Sequence, residues 1–134
     1  MNHTQNLHLP QWEADDRIMR TDFNNAFAAI DAALAATPHV AAGTYTGNGQ
    51  ASRVISLGFT PKAVFVTEKC GLPSITNSYQ YGGLAVPGGP ALHDGDAAKP
   101  VVKVVDGGFQ CFYNQSTGVQ SNVSSATYYY FALG

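Results

Sequence analysis

The chain has 134 residues, with 7 basic and 9 acidic side chains and a formal net charge of −2; this length fits one core-forming domain with an appendage and excludes a second enzyme domain. Charged residues make up only 12% of the chain and form no basic stripe, which argues against a nucleic-acid partner. No apolar run is long enough to span a bilayer, and residues 1–6 lack a signal-peptide pattern, so we expect a soluble protein without membrane insertion.

Glycine divides the sequence into two parts of different character. All fourteen glycines lie at or after Gly43, whereas the preceding stretch is rich in alanine and acidic residues. Interior glycine penalises helices, and the Val, Tyr and Thr content after Gly43 favours strands. The sequence therefore predicts a mainly β protein: a short N-terminal α-helical stem in residues 1–42, followed by an antiparallel β-sandwich in residues 43–134.

The stem contains one predicted helix. Thr21 or Asp22 is suited to cap its first turn, the helix is expected from Phe23 to about Ala36, and Pro38 ends it. Four large apolar residues within it recur at intervals of four, three and four and therefore share one stripe. They are Phe23, Phe27, Ile30 and Leu34.

Two heptads are too short for an isolated helix to be stable in water, so this stripe needs a partner. The partner is the chain's own β domain, another copy of the chain, or a larger assembly. The more specific hypothesis is a three-helix bundle on a symmetry axis, with residues 7–12 as a docking peptide. Trp12 supports docking, because an exposed tryptophan is costly unless it meets a partner.

Turn signals after Gly43 separate short runs with strand character. Residues 44–46 and 51–57 are predicted to form a hairpin across the turn 47–49, with Ile55, Leu57 and Phe59 on one face. Residues 62–67 are the next predicted strand, and its residues 63–66 are apolar on both faces, which is typical of a central strand.

Two further strand predictions follow later in the chain. Residues 101–105 and 109–113 are expected to form a second hairpin, and residues 127–133 form a closing strand with aromatic side chains on both faces.

Two segments of the β part are rich in residues that favour loops. Residues 71–100 contain repeated glycine and proline with little strand character outside residues 79–86, and loops of this length are usually functional or disordered. Residues 114–125 carry Ser, Asn, Gln and Thr, which suit hydrogen bonding to sugars or to a neighbouring subunit.

The densest group of possible metal ligands is His93, Asp94 and Asp96. Without a full ligand set this is a weak signal, and an ordinary Asp-Gly turn is the favoured interpretation, so we expect no metal. Hydrolysis of glycans needs two facing carboxylates, for which Glu68 with Asp94 or Asp96 is the most plausible pair. No nucleophile elbow and no phosphate-binding glycine loop occurs. We therefore expect neither catalysis nor a cofactor.

Aromatic residues and cysteines complete the candidates. Tyr79 and Tyr81 alternate to one face beside the glycine-rich segment and suit an aromatic platform for a sugar ring, although packing tyrosines would look the same. Cys70 and Cys111 are interpreted as two small buried apolar residues without a disulfide between them.

Several segments of the sequence resemble those of one known protein family. Residues 11–34, with Trp12, the run 20–24 and the pair 30–31, resemble the N-terminal segment of tail-fibre and baseplate-associated proteins from phages and prophages of clostridia-like bacteria. The stretches 43–49, 55–64 and 128–134 are similar to the companion C-terminal module.

The resemblance implies a homotrimeric structural component of a phage tail or phage-tail-like particle, made in a bacterial cytoplasm. Its stem would bundle on the axis and attach to other tail or baseplate proteins. The β module would then bind host-cell surface glycan, with Tyr79, Tyr81, His93, Asp94 and Asp96 as receptor-binding candidates. The chain lacks the long shaft repeats of typical fibres, so a fibre, a tip and a baseplate subunit remain alternatives. A purely structural subunit and a glycan depolymerase are the competing functions.

Overall fold

A computed structural model describes residues 1–75 and 78–134 of the chain. The chain divides into two compact units, Met1–Pro38 and His39–Gly134. The division falls before the predicted boundary at residue 42, because the first strand of the second unit already begins at Val40.

The N-terminal unit contains a two-stranded antiparallel ribbon, β1 (Asn2–His3) and β2 (Pro10–Gln11), followed by the helix α1 (Arg20–Ala35). The helix begins three residues before the predicted start at Phe23. Asp22 lies within its first turn, where its carboxylate accepts a hydrogen bond from the backbone N–H of Met19 at 3.3 Å. This acidic residue therefore stabilises the helix start from inside the helix, and Met19 occupies the cap position instead of Thr21 or Asp22.

The helix ends at Ala35, close to the predicted end before Pro38. The hydroxyl of Thr37 donates to the carbonyl of Ala33 at 3.0 Å, which satisfies one of the last-turn carbonyls. Within α1, all of which the structure describes, no side chain is buried.

The second unit consists of short strands that are numbered on from the ribbon. They are β3 (Val40–Thr46), β4 (Ser52–Ser56), β5 (Ala63–Glu68), β6 (Ser74–Ile75), β7 (Tyr79–Gln80), β8 (Gly83–Ala85), β9 (Ala91–Leu92), β10 (Pro100–Val105), β11 (Gly108–Asn114), β12 (Val119–Gln120) and β13 (Thr127–Leu133).

These strands form two sheets. One has the order β3-β13-β5-β8, and the other has the order β6-β7-β12-β11-β10-β9 with β4 also paired to β11. Among the described strands every pairing is antiparallel except that of β7 with β12. The predicted mainly β, antiparallel class is therefore confirmed.

Three strand predictions are confirmed. Strands β10 and β11 form the expected hairpin, with Val105 opposite Gly108. Strand β5 is central, since β13 and β8 pair with its two edges. Strand β13 covers the predicted residues 127–133 and is paired on both sides.

The predicted hairpin of residues 44–46 with 51–57 is wrong. Strand β3 pairs with β13, whereas β4 pairs with β11 in the other sheet, so residues 47–49 cross between sheets. The turn residues bond to the segment 122–126 instead of closing a hairpin. The N–H groups of Gly47 and Gly49 donate to the carbonyls of Ala126 and Asn122 at 2.8 and 2.9 Å. The glycine pattern predicts the turn correctly. The strands on either side of it pair with β13 and β11, which lie far away in sequence, and not with each other.

The prediction for residues 71–100 is partly wrong in the part that the structure describes. Strands β7 and β8 lie within residues 79–86, where strand character is predicted, whereas β6 and β9 lie in the predicted loop. This segment contains β6 to β9 and a 3₁₀ turn at His93–Gly95, while residues 76–77 lie outside the described residues. Strands of two or three residues are too short to show a period of two, and their pairing depends on long-range neighbours.

The core of the second unit is one cluster to which both sheets contribute. Tyr45 and Tyr128 stack with ring centroids 4.9 Å apart, and Phe109 of the other sheet lies 5.9 Å from Tyr45. Ile55, Leu57 and Phe59 pack against this cluster, and their alternation onto one face is confirmed. They are half-buried, whereas Ser56, Gly58 and Thr60 between and beyond them are exposed.

The polar stretch 114–125 is partly internal, which the sequence did not indicate. Ser121 and Asn122 are fully buried. The amide of Asn122 donates to Asn48 Oδ1 at 2.7 Å and to the Gln50 carbonyl at 3.0 Å, and its oxygen accepts from the Asn48 N–H at 3.2 Å. The Asn122 side chain therefore fixes residues 48–50 of the crossing segment instead of facing solvent.

Both cysteines are described, and both are free thiols. Cys111 is buried as predicted, but Cys70 is exposed. Cys70 lies in the turn after β5, where its Sγ donates to Glu68 Oε2 at 2.7 Å. No helix among the described residues is long and apolar enough to cross a membrane.

Candidate functional site

The second unit carries a surface pocket of about 230 Å³ between the start of β10, the end of β11 and β12. Its wall combines two aromatic side chains with an amide, a hydroxyl and an ammonium group. The residues concerned are Lys99, Phe112, Tyr113, Asn114 and Thr117. An aromatic wall with a few converging polar groups is the usual composition of a small-molecule site. We call this site the Tyr113 pocket.

The strand ends that line the pocket are held by local hydrogen bonds. The side chain of Asn114 accepts from the N–H and the hydroxyl of Ser116 at 3.1 and 2.8 Å, which starts the 3₁₀ turn Gln115–Thr117. The Tyr113 hydroxyl donates to Gln115 Oε1 at 3.3 Å, and Gln120 donates to the same oxygen at 3.0 Å. The aromatic wall is therefore oriented by its neighbours before any ligand arrives.

The cation of the pocket wall, Lys99, is paired with a carboxylate from outside that wall. Lys99 Nζ is 3.3 Å from Asp96 Oδ2. The backbone N–H of Ala98 donates to Asp96 Oδ1 at 2.9 Å, and this bond, followed by the hydrogen bond from Lys99, lowers the pKa of Asp96 below its usual value. Asp96 is therefore an anion near neutral pH and partly compensates the charge of Lys99.

His93 is the one predicted candidate that is buried, at 5% exposure. Its Nδ1 lies 3.0 Å from Asp94 Oδ2, but the contact lacks hydrogen-bond geometry, so Nδ1 has no hydrogen bond to any described residue. Asp94 has a positive φ of 54° inside the 3₁₀ turn, a strained conformation for a residue other than glycine. The His93 N–H donates to the Lys99 carbonyl at 2.9 Å, which connects this turn to the pocket rim.

Tyr79 and Tyr81 differ in exposure. Tyr79 is 39% exposed, whereas Tyr81 packs against the core. Burial, and then the nearby carboxylate of Glu68, raise the pKa of Tyr81. Tyr81 also donates its backbone N–H to the Pro73 carbonyl at 2.7 Å.

The three carboxylates considered for hydrolysis have separate partners. Glu68 accepts from the thiol and the N–H of Cys70, Asp94 contacts His93, and Asp96 pairs with Lys99. Among the described residues, no group of three or more His, Cys, Asp or Glu side chains could hold a metal ion.

The attachment candidates of the N-terminal unit form a row of aromatic contacts. The ring centroids of Trp12 and Phe23 are 4.9 Å apart, and those of Phe23 and Phe27 are 6.2 Å apart. The four stripe residues of α1 are 39–71% exposed, Leu34 the most. The Trp12 Nε1–H is buried without an acceptor among the described residues.

Sequence reasoning did not find the Tyr113 pocket as a site. Phe112 and Tyr113 belong to the predicted strand 109–113, and neither they nor Lys99 are among the binding candidates that the sequence indicates. The pocket joins three segments, at residues 51, 98–100 and 112–119, that are distant in sequence. The feature of the sequence that points to this site is the aromatic pair Phe112-Tyr113, directly before the polar stretch 114–125.

Comparison of the chain with protein-family models, with curated proteins and with solved structures found no match.

Proposed function

We propose that this protein is a homotrimeric, non-enzymatic component of a phage tail or phage-tail-like particle that binds bacterial surface glycan. Its N-terminal unit attaches to other tail or baseplate proteins, and its β unit contacts the cell surface. The resemblance of residues 11–34, 43–49, 55–64 and 128–134 to tail-fibre and baseplate proteins supports the class.

The exposed stripe of α1 is the observation that supports the proposed homotrimer. A helix of 16 residues without a single buried side chain gains little from packing within its own unit. Its four large apolar residues lie on one side, as in helices that associate with each other. A three-helix bundle of Phe23, Phe27, Ile30 and Leu34 would bury the stripe and stabilise the stem.

The two sheets of the second unit are proposed to form the antiparallel sandwich expected for the head module. The core supports this architecture, because Val64, Val66 and Tyr128 of one sheet share a cluster with Val102 and Phe109 of the other. In such a module the loops and strand ends are free to bind ligands.

The glycan is proposed to bind at the Tyr113 pocket. An apolar sugar face stacks on an aromatic ring, while the sugar hydroxyls bond to amides, hydroxyls and charged groups. Tyr113, Asn114, Thr117 and Lys99 offer this combination within one cavity. Its volume of about 230 Å³ is below the usual range for larger ligands and suits a single ring. The sequence candidates Asp96 and His93 lie in the turn that supports the rim.

This proposal is tested with the full-length chain on an array of bacterial capsule and cell-wall glycans. We expect Tyr113→Ala to weaken binding about tenfold, the loss of roughly one stacking contact. Tyr79→Ala is the matched control, since it removes an exposed tyrosine from another strand of the same unit. If only the Tyr79→Ala control loses binding, the glycan binds at the platform of Tyr79 and Tyr81 and not at the Tyr113 pocket.

Two further outcomes separate the competing functions. If no glycan is bound at any density, the receptor part of the proposal is wrong and a purely structural subunit is favoured. If the protein instead releases soluble sugar from the array, it is a depolymerase; the Asp94→Asn and Asp96→Asn variants would then lose that release.

A further inference from the structure

The sheet of β3, β13, β5 and β8 has a second face that faces away from the core. Six large apolar side chains on it are 39–61% exposed. They are Val40, Phe65, Leu84, Tyr129, Phe131 and Leu133, and we call them the outer sheet face.

Strand register places these residues in adjacent rows. Phe131 is opposite Phe65, which is itself opposite Leu84, so one apolar row crosses three strands. Leu133 is opposite Val40 in the next row, and Tyr129 begins the third row. The residues therefore form one continuous patch across the sheet and are not scattered single exposures.

Alternation along β13 shows that this exposure is specific to one face. Tyr128 and Ala132 are fully buried and point toward the core, whereas Tyr129 and Phe131 between them are exposed. A sheet with one solvated face normally carries polar residues there. None of the described residues that the register places in these rows is charged; the remaining ones are alanine or threonine.

The exposed apolar area of the outer sheet face approaches that of one side of a protein interface. Apolar side chains of this size at such exposure leave roughly 500 Å² in solvent in total, and the neighbouring Ala42 and Thr44, which are also exposed, add to it. A monomer's largest apolar patch is about 300–600 Å² and is often functional. One side of a stable protein interface buries about 800 Å². The outer sheet face with its margin therefore approaches one side of such an interface.

We propose that the outer sheet face is an interface between copies of this chain. Around the axis of a trimer, each neighbouring copy supplies an equally neutral, apolar surface, so no charge is buried unpaired when the three copies meet. The inference deepens the homotrimer of the proposed function and rests on it for the number of subunits. It adds a second contact, so that association depends on the β unit as well as on the stripe of α1.

The test compares the association constants of full-length variants by sedimentation and light scattering over a range of concentrations. Phe131→Lys and Leu84→Lys each place a charge on the outer sheet face, on two different strands. Val54→Lys is the matched control, because Val54 is a large apolar residue, 55% exposed, on β4 of the other sheet. Circular dichroism and thermal unfolding confirm that each variant is folded.

We expect both face variants to weaken association at least about 30-fold, which corresponds to about 2 kcal/mol, while the control associates like the parent. Parent-like association of both folded face variants would overturn the inference. A parent chain that is monomeric at every concentration would overturn it too, since the face then belongs to a different partner.

A stem variant, Phe27→Glu with Leu34→Glu, separates this inference from the proposed function. If the stem variant dissociates while the face variants do not, the stem trimer stands and the outer sheet face is not an interface. If the face variants dissociate and the stem variant does not, the inference stands and the stem bundle is wrong.

Discussion

At the scale of single residues, two buried tyrosines connect the sheets to the segment 120–123. The Tyr45 hydroxyl donates to the Ser121 carbonyl at 2.6 Å. The Tyr128 hydroxyl donates to the Gln120 carbonyl and accepts from the Val123 N–H. Burial raises the pKa of Tyr128 to about 12 and also raises the pKa of Tyr45. Both hydroxyls therefore remain protonated in the folded protein at pH values where an unfolded tyrosine ionises.

This difference predicts a loss of stability in alkali. Above an unfolded pKa of about 10 the unfolded chain releases these protons while the folded chain retains them, so the free energy of unfolding falls as pH rises from about 10 to about 12. The contribution is fully present below pH 10. Urea unfolding at pH 8 to 11 measures the slope, and we expect Tyr128→Phe to make it shallower than in the parent.

The control for this prediction is Tyr79→Phe, which removes the hydroxyl of a tyrosine that is 39% exposed. We expect Tyr128→Phe to change the slope more than this control does. If Tyr128→Phe retained the parent's slope, the Tyr128 hydroxyl would not be the group that loses its proton on unfolding.

At the scale of elements, Gly108 permits the close contact between β11 and β4. A Cβ at this position would lie 2.1 Å from the backbone oxygen of Ile55, a distance that backbone atoms do not tolerate. Gly107 in the same turn has φ of +77° and open space around it. Glycine is therefore needed at position 108 because there is no room for a side chain, and at position 107 because of its positive φ.

We therefore expect Gly108→Ala to destabilise the protein by about 2 kcal/mol or more, because β4 must shift from β11. Gly107→Ala should cost only about 1 kcal/mol, the penalty of its backbone conformation. Urea unfolding gives both values, and hydrogen exchange shows whether the amides of β4 lose protection. Equal effects of the two substitutions would mean that β4 is not held against Gly108.

The sequence was sufficient for elements whose signals are local. The β10–β11 hairpin follows from the Asp106-Gly107-Gly108 turn, and β13 follows from its aromatic run. The pairing of β3 with β13 and of β4 with β11 joins residues far apart in the chain, so a turn at 47–49 could not reveal it. The Tyr113 pocket was missed for the same reason, because it exists only after three distant segments meet.

At the scale of the whole molecule, each unit has an apolar surface that the unit itself does not cover. In the N-terminal unit this surface is the stripe of α1, with Phe27 63% and Leu34 71% exposed. In the second unit it is the outer sheet face. The stripe of α1 can be predicted from the spacing of its apolar residues. The outer sheet face cannot, because its prediction requires knowledge of which face of β13 meets the core.

The measurement that tests the central claim most directly is the solution mass of the full-length chain, together with that of the Phe27→Glu, Leu34→Glu variant. The account predicts a parent mass of three times 14.2 kDa and an association at least about 100-fold weaker in the variant. A parent that stays at the mass of one chain at all concentrations would contradict it, as would a trimer that the variant leaves intact.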